Sequence, residues 1–203
     1  MSVLLLVRHA ETAWHHENRY AGSSDVPLTE RGHRQAAQLA QWASGREIGA
    51  VYCSDLSRAV LTATPVAVAT GAELHTDNRL REVDFGRGEG LTASEMRVEF
   101  PAAHSAFEAN PARSPLPGGE SGTAALDRAW PVLSGIAGER GAPTLVVMHS
   151  TLMRLVLCRA LGIDPDNYRR CFPSVLNTAI TTVSLTADSG ALLAYNAAVG
   201  EVE

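Results

Sequence analysis

Residues 4–12 read Leu4-Leu5-Leu6-Val7-Arg8-His9-Ala10-Glu11-Thr12, a short apolar run that leads directly into an arginine and a histidine. A run of this length is typical of a buried strand. In open α/β sheets, ligands bind beyond the carboxyl ends of the strands. Arg8 and His9 are therefore predicted to lie at a ligand-binding edge, where a fixed cation beside a potential nucleophile suits a phosphoryl group.

Three further segments favour a functional interpretation, whereas a single arginine–histidine pair more often just ends a strand. The apolar residues 50–53 precede an arginine, residues 80–86 contain a glutamate, and the apolar residues 144–148 end at a histidine. These segments predict two histidines, two arginines and one glutamate at strand ends or in the loops beside them. The five residues are His9, His149, Arg8, Arg58 and Glu82.

Strand and helix patterns alternate along the chain, which predicts an α/β fold. We expect a three-layer α/β/α sandwich with a mainly parallel central sheet and a small inserted cap. Ser54 or Asp55 is the expected N-cap of the second helix. The proline-containing residues 92–120 are interpreted as the cap within a single domain, residues 1–203. Predicted strands cover 3–7, 50–53, 73–76, 144–149, 178–185 and 192–196, and predicted helices cover 29–43, 55–69, 120–137 and 150–161.

The composition is typical of a globular enzyme. The 203 residues suffice for one domain with a buried core. The net charge of -5 predicts no binding to nucleic acid or to a membrane, so local cations must attract an anionic substrate. The opening apolar run is too short for a secretion signal or a membrane span. Three cysteines without metal-ligand spacing predict reduced thiols, and we expect a cytoplasmic protein.

Six segments carry a resemblance that extends over nearly the whole chain. They are Leu6–Thr12, Asp25–Gly32, Ser54–Arg58, Leu80–Gly86, Pro117–Ser121 and Val147–His149. In their order and spacing the chain resembles the histidine phosphatase superfamily, the phosphoglycerate-mutase-like proteins. The resemblance implies phosphoryl transfer from a small phosphate ester.

The resemblance also implies a role for each of the five predicted site residues. Neutral imidazole can attack phosphorus and leave again when water arrives, and this nucleophilic role falls to His9. The other ring nitrogen of His9 should then donate to a backbone carbonyl near the strand end. Arg8 and Arg58 are expected to hold phosphate oxygens, with His149 as a further donor in the transition state. Glu82 is expected to protonate the leaving group and then to activate water.

Substrate contacts are implied for six residues: Arg8, His15, Gly22, Arg58, Phe85 and Ser150. His15 stands where the family often has an asparagine; it can donate to phosphate, but with a charge that varies with pH. Ser150 and Thr151 replace a glycine-rich pair, so we expect altered specificity and an intact reaction. Some large side chains either line an apolar recess above the phosphate or belong to the core: Trp14, Tyr20, Phe85, Met96, Phe100 and Phe107.

The predicted function is metal-independent hydrolysis of a small phosphorylated metabolite through a phosphohistidine on His9. No metal or cofactor is expected, and the adjacent His15 and His16 are not interpreted as a metal site. One alternative is cofactor-dependent mutase-type transfer, for which the cap offers only Arg97 and Arg113 as cations. The other is a non-catalytic protein that binds a phosphorylated ligand. The sequence indicates neither the substrate nor the oligomeric state.

Overall fold

The computed structural model describes residues 3–139 and 141–199. Within these residues, strands and helices alternate through most of the chain, as predicted. In chain order they are β1 (Val3–Arg8), α1 (Glu30–Ser44), β2 (Ala50–Cys53), α2 (Ser57–Thr70), β3 (Glu73–Thr76), α3 (Ala93–Glu99), α4 (Pro101–Ala109), α5 (Gly122–Gly138), β4 (Thr144–Met148), α6 (Ser150–Ala160), α7 (Tyr168–Cys171), β5 (Ile180–Leu185) and β6 (Gly190–Ala197).

The six strands form one sheet in the order β3-β2-β4-β1-β5-β6. The strands β3, β2, β4 and β1 are parallel, whereas β5 runs antiparallel to β1, and β6 antiparallel to β5. The prediction of a mainly parallel sheet is therefore confirmed, with an antiparallel pair at one edge. Because Arg8 pairs with Met148, the next residues, His9 and His149, lie side by side at the edge of the sheet.

Both faces of the sheet are covered by helices, which confirms the three-layer architecture. Alternate residues of a strand point to opposite faces. Leu4 and Leu6 pack in a cluster with side chains of α5 and α6, whereas Leu5 and Val7 pack with side chains of α1 and α2. The chain thus leaves β1 and β4 towards opposite faces, which opens a crevice at their carboxyl ends.

The predicted cap of α2 is wrong, because the helix begins later and takes its cap from another segment. The helix starts at Ser57, whose N–H and hydroxyl both donate to the Asp25 carboxylate, at 3.0 and 2.5 Å. Ser54 instead bonds to His149, and Asp55 accepts from Arg81. Each proposed capping side chain is therefore held elsewhere, and a carboxylate 32 positions earlier in the chain replaces it.

Residues 92–120 contain two short helices, α3 and α4, which pack against the main body of the protein. Thr92 caps α3 together with Glu95, since each side chain accepts from the other's backbone N–H. Met96, Phe100 and Phe107 are buried in the same apolar cluster as Leu4 and Leu6. These three side chains belong to the core, which decides between the two interpretations given above for them. In the described part of the chain, no helix has both the length and the apolar character needed to cross a membrane.

Candidate active site

His9 follows β1 directly and is held as a neutral imidazole. Its Nδ1 donates to the carbonyl of Ala10 at 2.7 Å, which confirms the expected carbonyl partner near the strand end. Burial lowers the pKa of His9 well below its usual value, and the nearby His149, Arg58 and Arg8 lower it further. With the proton of the neutral ring on Nδ1, the Nε2 atom carries a free lone pair. His9 can therefore act as a nucleophile at neutral pH.

His149 lies beside His9 because β1 and β4 are adjacent and parallel. The His9 N–H donates to the carbonyl of Met148, and the two imidazole centroids are 5.1 Å apart. Burial lowers the pKa of His149 well below its usual value, so this ring is also neutral. Its Nε2 lies 2.7 Å from the hydroxyl of Ser54. When this hydroxyl donates, the ring proton resides on Nδ1, and His149 is a hydrogen-bond donor.

Arg8 is fixed in the crevice by two hydrogen bonds. Its Nη1 donates to the carbonyl of Val175, and its Nη2 donates to Nε2 of His15, both at 2.7 Å. Burial lowers the pKa of Arg8 to about 10. The guanidinium group therefore remains charged at neutral pH, and its orientation is set before any anion binds.

Arg58 lies in the first turn of α2, as predicted, and its side chain is fully buried. Its guanidinium donates to the carbonyls of Ser24 and Gly22, at 2.6 and 2.7 Å. Arg58 therefore fixes the loop formed by residues 21–24. This structural role accompanies the predicted contact with phosphate.

Three buried side-chain nitrogens have no hydrogen-bond partner among the described residues: Arg8 Nε, Arg58 Nε and His149 Nδ1. Buried polar groups are nearly always paired in native proteins, so each such atom needs an explanation. All three belong to the cluster around His9. Phosphate oxygens are strong acceptors, so a phosphoryl group bound beside His9 is a candidate partner for these nitrogens.

Glu82 is fixed at the amino-terminal end of α6. Its carboxylate accepts from the backbone N–H groups of Thr151 and Leu152, both at 2.8 Å, and from Val83 at 2.9 Å. The side chain is only 6% exposed and lines the same cavity as His9. Free N–H groups at a helix start commonly bind anions. Here they orient the carboxyl group that the sequence predicts to be the acid and base.

His15 has a different environment from the one expected of a pH-dependent phosphate donor. Burial first, and then the charge of Arg8, lower the pKa of His15 to about 4. The ring is therefore neutral throughout the physiological range. Its Nε2 faces the N–H groups of Arg8 and Asn177, at 2.7 and 3.2 Å, and so accepts hydrogen bonds. Through this contact His15 positions Arg8, and the expected donation from His15 to phosphate stays a prediction.

Gly22 lies behind the cavity wall. Its N–H donates to the carboxylate of Glu89, which also accepts from the N–H groups of Ser23, Ser24 and Phe85. A Cβ atom on Gly22 would lie 2.2 Å from the carbonyl oxygen of Val83. The close packing of this loop explains the glycine, and the predicted contact between Gly22 and substrate finds no support in this geometry.

A cavity of about 290 Å³ lies at the carboxyl ends of β1 and β4. Most of the predicted site residues line it, whereas Arg58, His149 and Gly22 do not. Tyr20 also lines the cavity, but Trp14 does not. The predicted residues found in its wall are Arg8, His9, His15, Glu82, Phe85 and Ser150.

Three arginines in the cavity wall, Arg19, Arg154 and Arg169, were missed by the sequence analysis. Arg19 forms salt bridges with Glu17 and Glu95. Arg154 lies one helical turn beyond Ser150, so the spacing of four residues was a usable signal. No pattern points to Arg169. The two cations of the cap region lie elsewhere: Arg97 is 3.6 Å from Glu108, and Arg113 pairs with Asp164 at 2.8 Å. The additional positive charge of the cavity that pairs with no described carboxylate therefore comes from α6 and α7.

Among the described residues, no group of three or more histidine, cysteine, aspartate or glutamate side chains is arranged to hold a metal ion. The three cysteines are free thiols; Cys53 and Cys158 are buried, and Cys171 is exposed. The charged groups at the centre of the site are thus guanidinium and carboxylate groups.

Comparison with known proteins agrees with this arrangement. The chain is 34% identical over 169 residues to phosphoserine phosphatase 1 of Hydrogenobacter thermophilus, covering 83% of this chain and 80% of the relative. It is 35% identical over 186 residues to phosphoglycerate mutase-like protein 4 of Arabidopsis thaliana, covering 90% and 79%. A mycobacterial glucosyl-3-phosphoglycerate phosphatase, solved with VO3, superimposes with a TM-score of 0.87 at 26% identity, covering 98% and 100%.

These similarities support a phosphoric monoester hydrolase. The family model of the histidine phosphatase superfamily (branch 1) matches residues 4–198. The chain therefore belongs to the histidine phosphatase superfamily.

Proposed function

We propose that the protein hydrolyses a small phosphorylated metabolite, without a metal ion, through a phosphohistidine formed on His9. One observation carries this proposal: the lone pair on His9 Nε2 lies within a cluster that holds three unpartnered buried nitrogens. A phosphoryl group bound to Nε2 would offer its oxygens to these nitrogens. The similarity to two phosphatases supports the same class of reaction.

In the first half-reaction, Nε2 of His9 attacks phosphorus while the bond between phosphorus and the leaving oxygen breaks. Glu82 donates a proton to that oxygen, and the alcohol departs. Arg8 and Arg58 balance the charge of the phosphoryl oxygens, and His149 donates a further hydrogen bond.

In the second half-reaction, the ionised Glu82 takes a proton from a water molecule, whose oxygen attacks phosphorus. The phosphorus–nitrogen bond breaks, inorganic phosphate is released, and His9 returns to its neutral form. Glu82 is again protonated and ready for the next ester.

The test of this proposal is hydrolysis of 4-nitrophenyl phosphate in the presence of a chelator, with detection of phosphohistidine by mass spectrometry under alkaline conditions. His9→Ala should lose several orders of magnitude in kcat and form no phosphoenzyme, as is typical when a nucleophile is deleted. The matched control is His33→Ala on the exposed face of α1, which should retain full activity. Retention of a tenth of the activity by His9→Ala would overturn the assignment.

Mutase-type phosphoryl transfer is a second candidate, because Arg154 and Arg169 give the cavity cations that the cap lacks. Phosphorus NMR of 3-phosphoglycerate incubated with the protein separates the two reactions. Hydrolysis gives inorganic phosphate, whereas a mutase gives 2-phosphoglycerate. Absence of either product, with 4-nitrophenyl phosphate also left intact, would favour a non-catalytic phospholigand-binding protein.

A further inference from the structure

Arg154 and Arg169 share the cavity with His9, and no described carboxylate pairs with either. Most other arginines in residues 3–139 and 141–199 form salt bridges, including Arg97 and Arg113 in the cap region. Arg154 and Arg169 each have a hydrogen-bond partner only for the Nε atom. Their Nη groups have no acceptor among the described residues. The terminal N–H groups of Arg154 and Arg169 are therefore available to an anion in the cavity.

Aromatic side chains hold both guanidinium groups in place. Arg154 lies 4.7 Å from the centroid of Tyr168, and its Nε donates to the carbonyl of Ser150. Arg169 lies 4.5 Å from the centroid of Phe107, and its Nε donates to the Tyr168 hydroxyl. An aromatic face fixes a guanidinium group through its plane and leaves the N–H groups at its edge free. The pair is thus preorganised to bind an anion.

The phosphoryl chemistry does not need these two arginines. Arg8 and Arg58 supply two positive charges for a phosphate dianion, and His149 supplies a further donor. Among the described residues that line the cavity, Glu82 is the only one with a carboxylate. The excess positive charge is local, since the chain as a whole carries a net charge of -5. It matches a second negative charge on the bound molecule.

We propose that Arg154 and Arg169 form a subsite for a carboxylate on the leaving group, so that the substrate is a small phosphate ester of a hydroxy acid. This inference rests on the proposed function. The planar guanidinium fork matches the geometry of a carboxylate. The cavity, about 290 Å³, has room for a phosphoryl group and a short chain that carries a carboxylate.

A matched pair of esters tests the subsite, because 3-phosphoglycerate and glycerol 3-phosphate differ only in a carboxylate against a hydroxymethyl group. The wild type should show a kcat/KM about ten- to a hundredfold higher for the carboxylate ester, the range expected for a charged hydrogen bond. Arg169→Gln should remove most of this preference, because it should lower kcat/KM for 3-phosphoglycerate far more than kcat/KM for glycerol 3-phosphate. Arg170→Gln, an exposed neighbour, is the control and should keep the preference.

Several outcomes would overturn the subsite. One is equal kcat/KM values for the two esters in the wild type. Another is an Arg169→Gln variant that has an unchanged melting temperature but loses kcat/KM for both esters by the same factor. A bisphosphate such as glycerol 1,3-bisphosphate, if preferred over 3-phosphoglycerate, would assign the subsite to phosphate. Arg154→Gln provides a second variant should Arg169→Gln fold poorly.

Failure of the subsite and failure of the proposed function have different signatures. Hydrolysis of both esters without preference refutes only the carboxylate subsite. Absence of hydrolysis for both esters and for 4-nitrophenyl phosphate refutes the proposed function. In that case calorimetric titration with the same two esters still tests the subsite, since 3-phosphoglycerate should bind more tightly to the wild type than to Arg169→Gln.

Discussion

Lowering the pH from 7 to 5.5 should remove about 4 kcal/mol from the free energy of unfolding, because three buried histidines are neutral in the folded protein. Burial lowers the pKa of His9 and His149 well below the usual value, and lowers the pKa of His15 to about 4. An unfolded histidine has a pKa of about 6.5. At a pH between the folded and the unfolded pKa of a histidine, only the unfolded state binds a proton at that residue. Acid therefore favours unfolding.

The magnitude follows from proton linkage. For one histidine that titrates at about 6.5 only when unfolded, the change from pH 7 to 5.5 costs about 1.3 kcal/mol. Three such groups give about 4 kcal/mol, a large part of the stability of a typical domain. A histidine whose folded pKa is lowered contributes stability that is present above pH 6.5 and is lost as the pH falls. Most carboxylates titrate below this window.

Urea unfolding in phosphate-free buffers between pH 7 and 5.5 measures the effect. His15→Asn should reduce the loss to about 2.5 kcal/mol, since one of the three groups is removed. His33→Gln, at an exposed position of α1 outside the site, is the control and should leave the loss unchanged. A wild-type loss below about 1.5 kcal/mol would mean that no more than one of the three histidines is neutral in the folded protein.

Two further predictions concern the acid–base residue and the loop beside β1. Glu82→Gln should slow alkyl phosphate esters by a factor on the order of 10² to 10⁴, but 4-nitrophenyl phosphate much less, because phenolate leaves without a proton. Comparison of kcat for both esters decides this, and equal slowing would contradict the acid role. Gly32→Ala should lower the free energy of unfolding by about 1–3 kcal/mol, because a Cβ atom would lie 2.1 Å from the Glu11 carbonyl oxygen. Gly45→Ala is the control, since nothing lies within 4 Å of its Cβ position. If urea unfolding shows a similar loss of stability for Gly45→Ala, the close contact at Gly32 is not the cause.

The proximity of His9 and His149 could be predicted because it depends on local patterns. Each histidine follows a continuous apolar run, and such runs predict buried strands whose carboxyl ends share one edge. The structure adds the pairing of Arg8 with Met148, which makes the two histidines direct neighbours. That register depends on contacts across the sheet and is not visible in either segment alone.

Features that depend on pairs of distant segments were missed. Asp25 caps α2 across 32 positions, and no spacing rule connects a loop carboxylate with a helix start so far along the chain. The role of His15 could not be predicted either, since its low pKa arises from burial and from Arg8. Arg169 enters the cavity through the placement of α7, a helix of four residues without a sequence pattern of its own.

The loop of residues 21–24 is held entirely through its main chain, and this has a consequence for altering specificity by directed evolution. Glu89 accepts from its amide groups, and Arg58 donates to its carbonyls. Its path therefore does not depend on the side chains of Ala21 or Ser23. Ala21 lines the cavity and Ser23 is exposed. Substitutions at these two positions can therefore change the side chains of the loop while its backbone keeps the same conformation. Substitutions at Gly22 in such a library should be eliminated by selection, because the space beside its Cα is already filled.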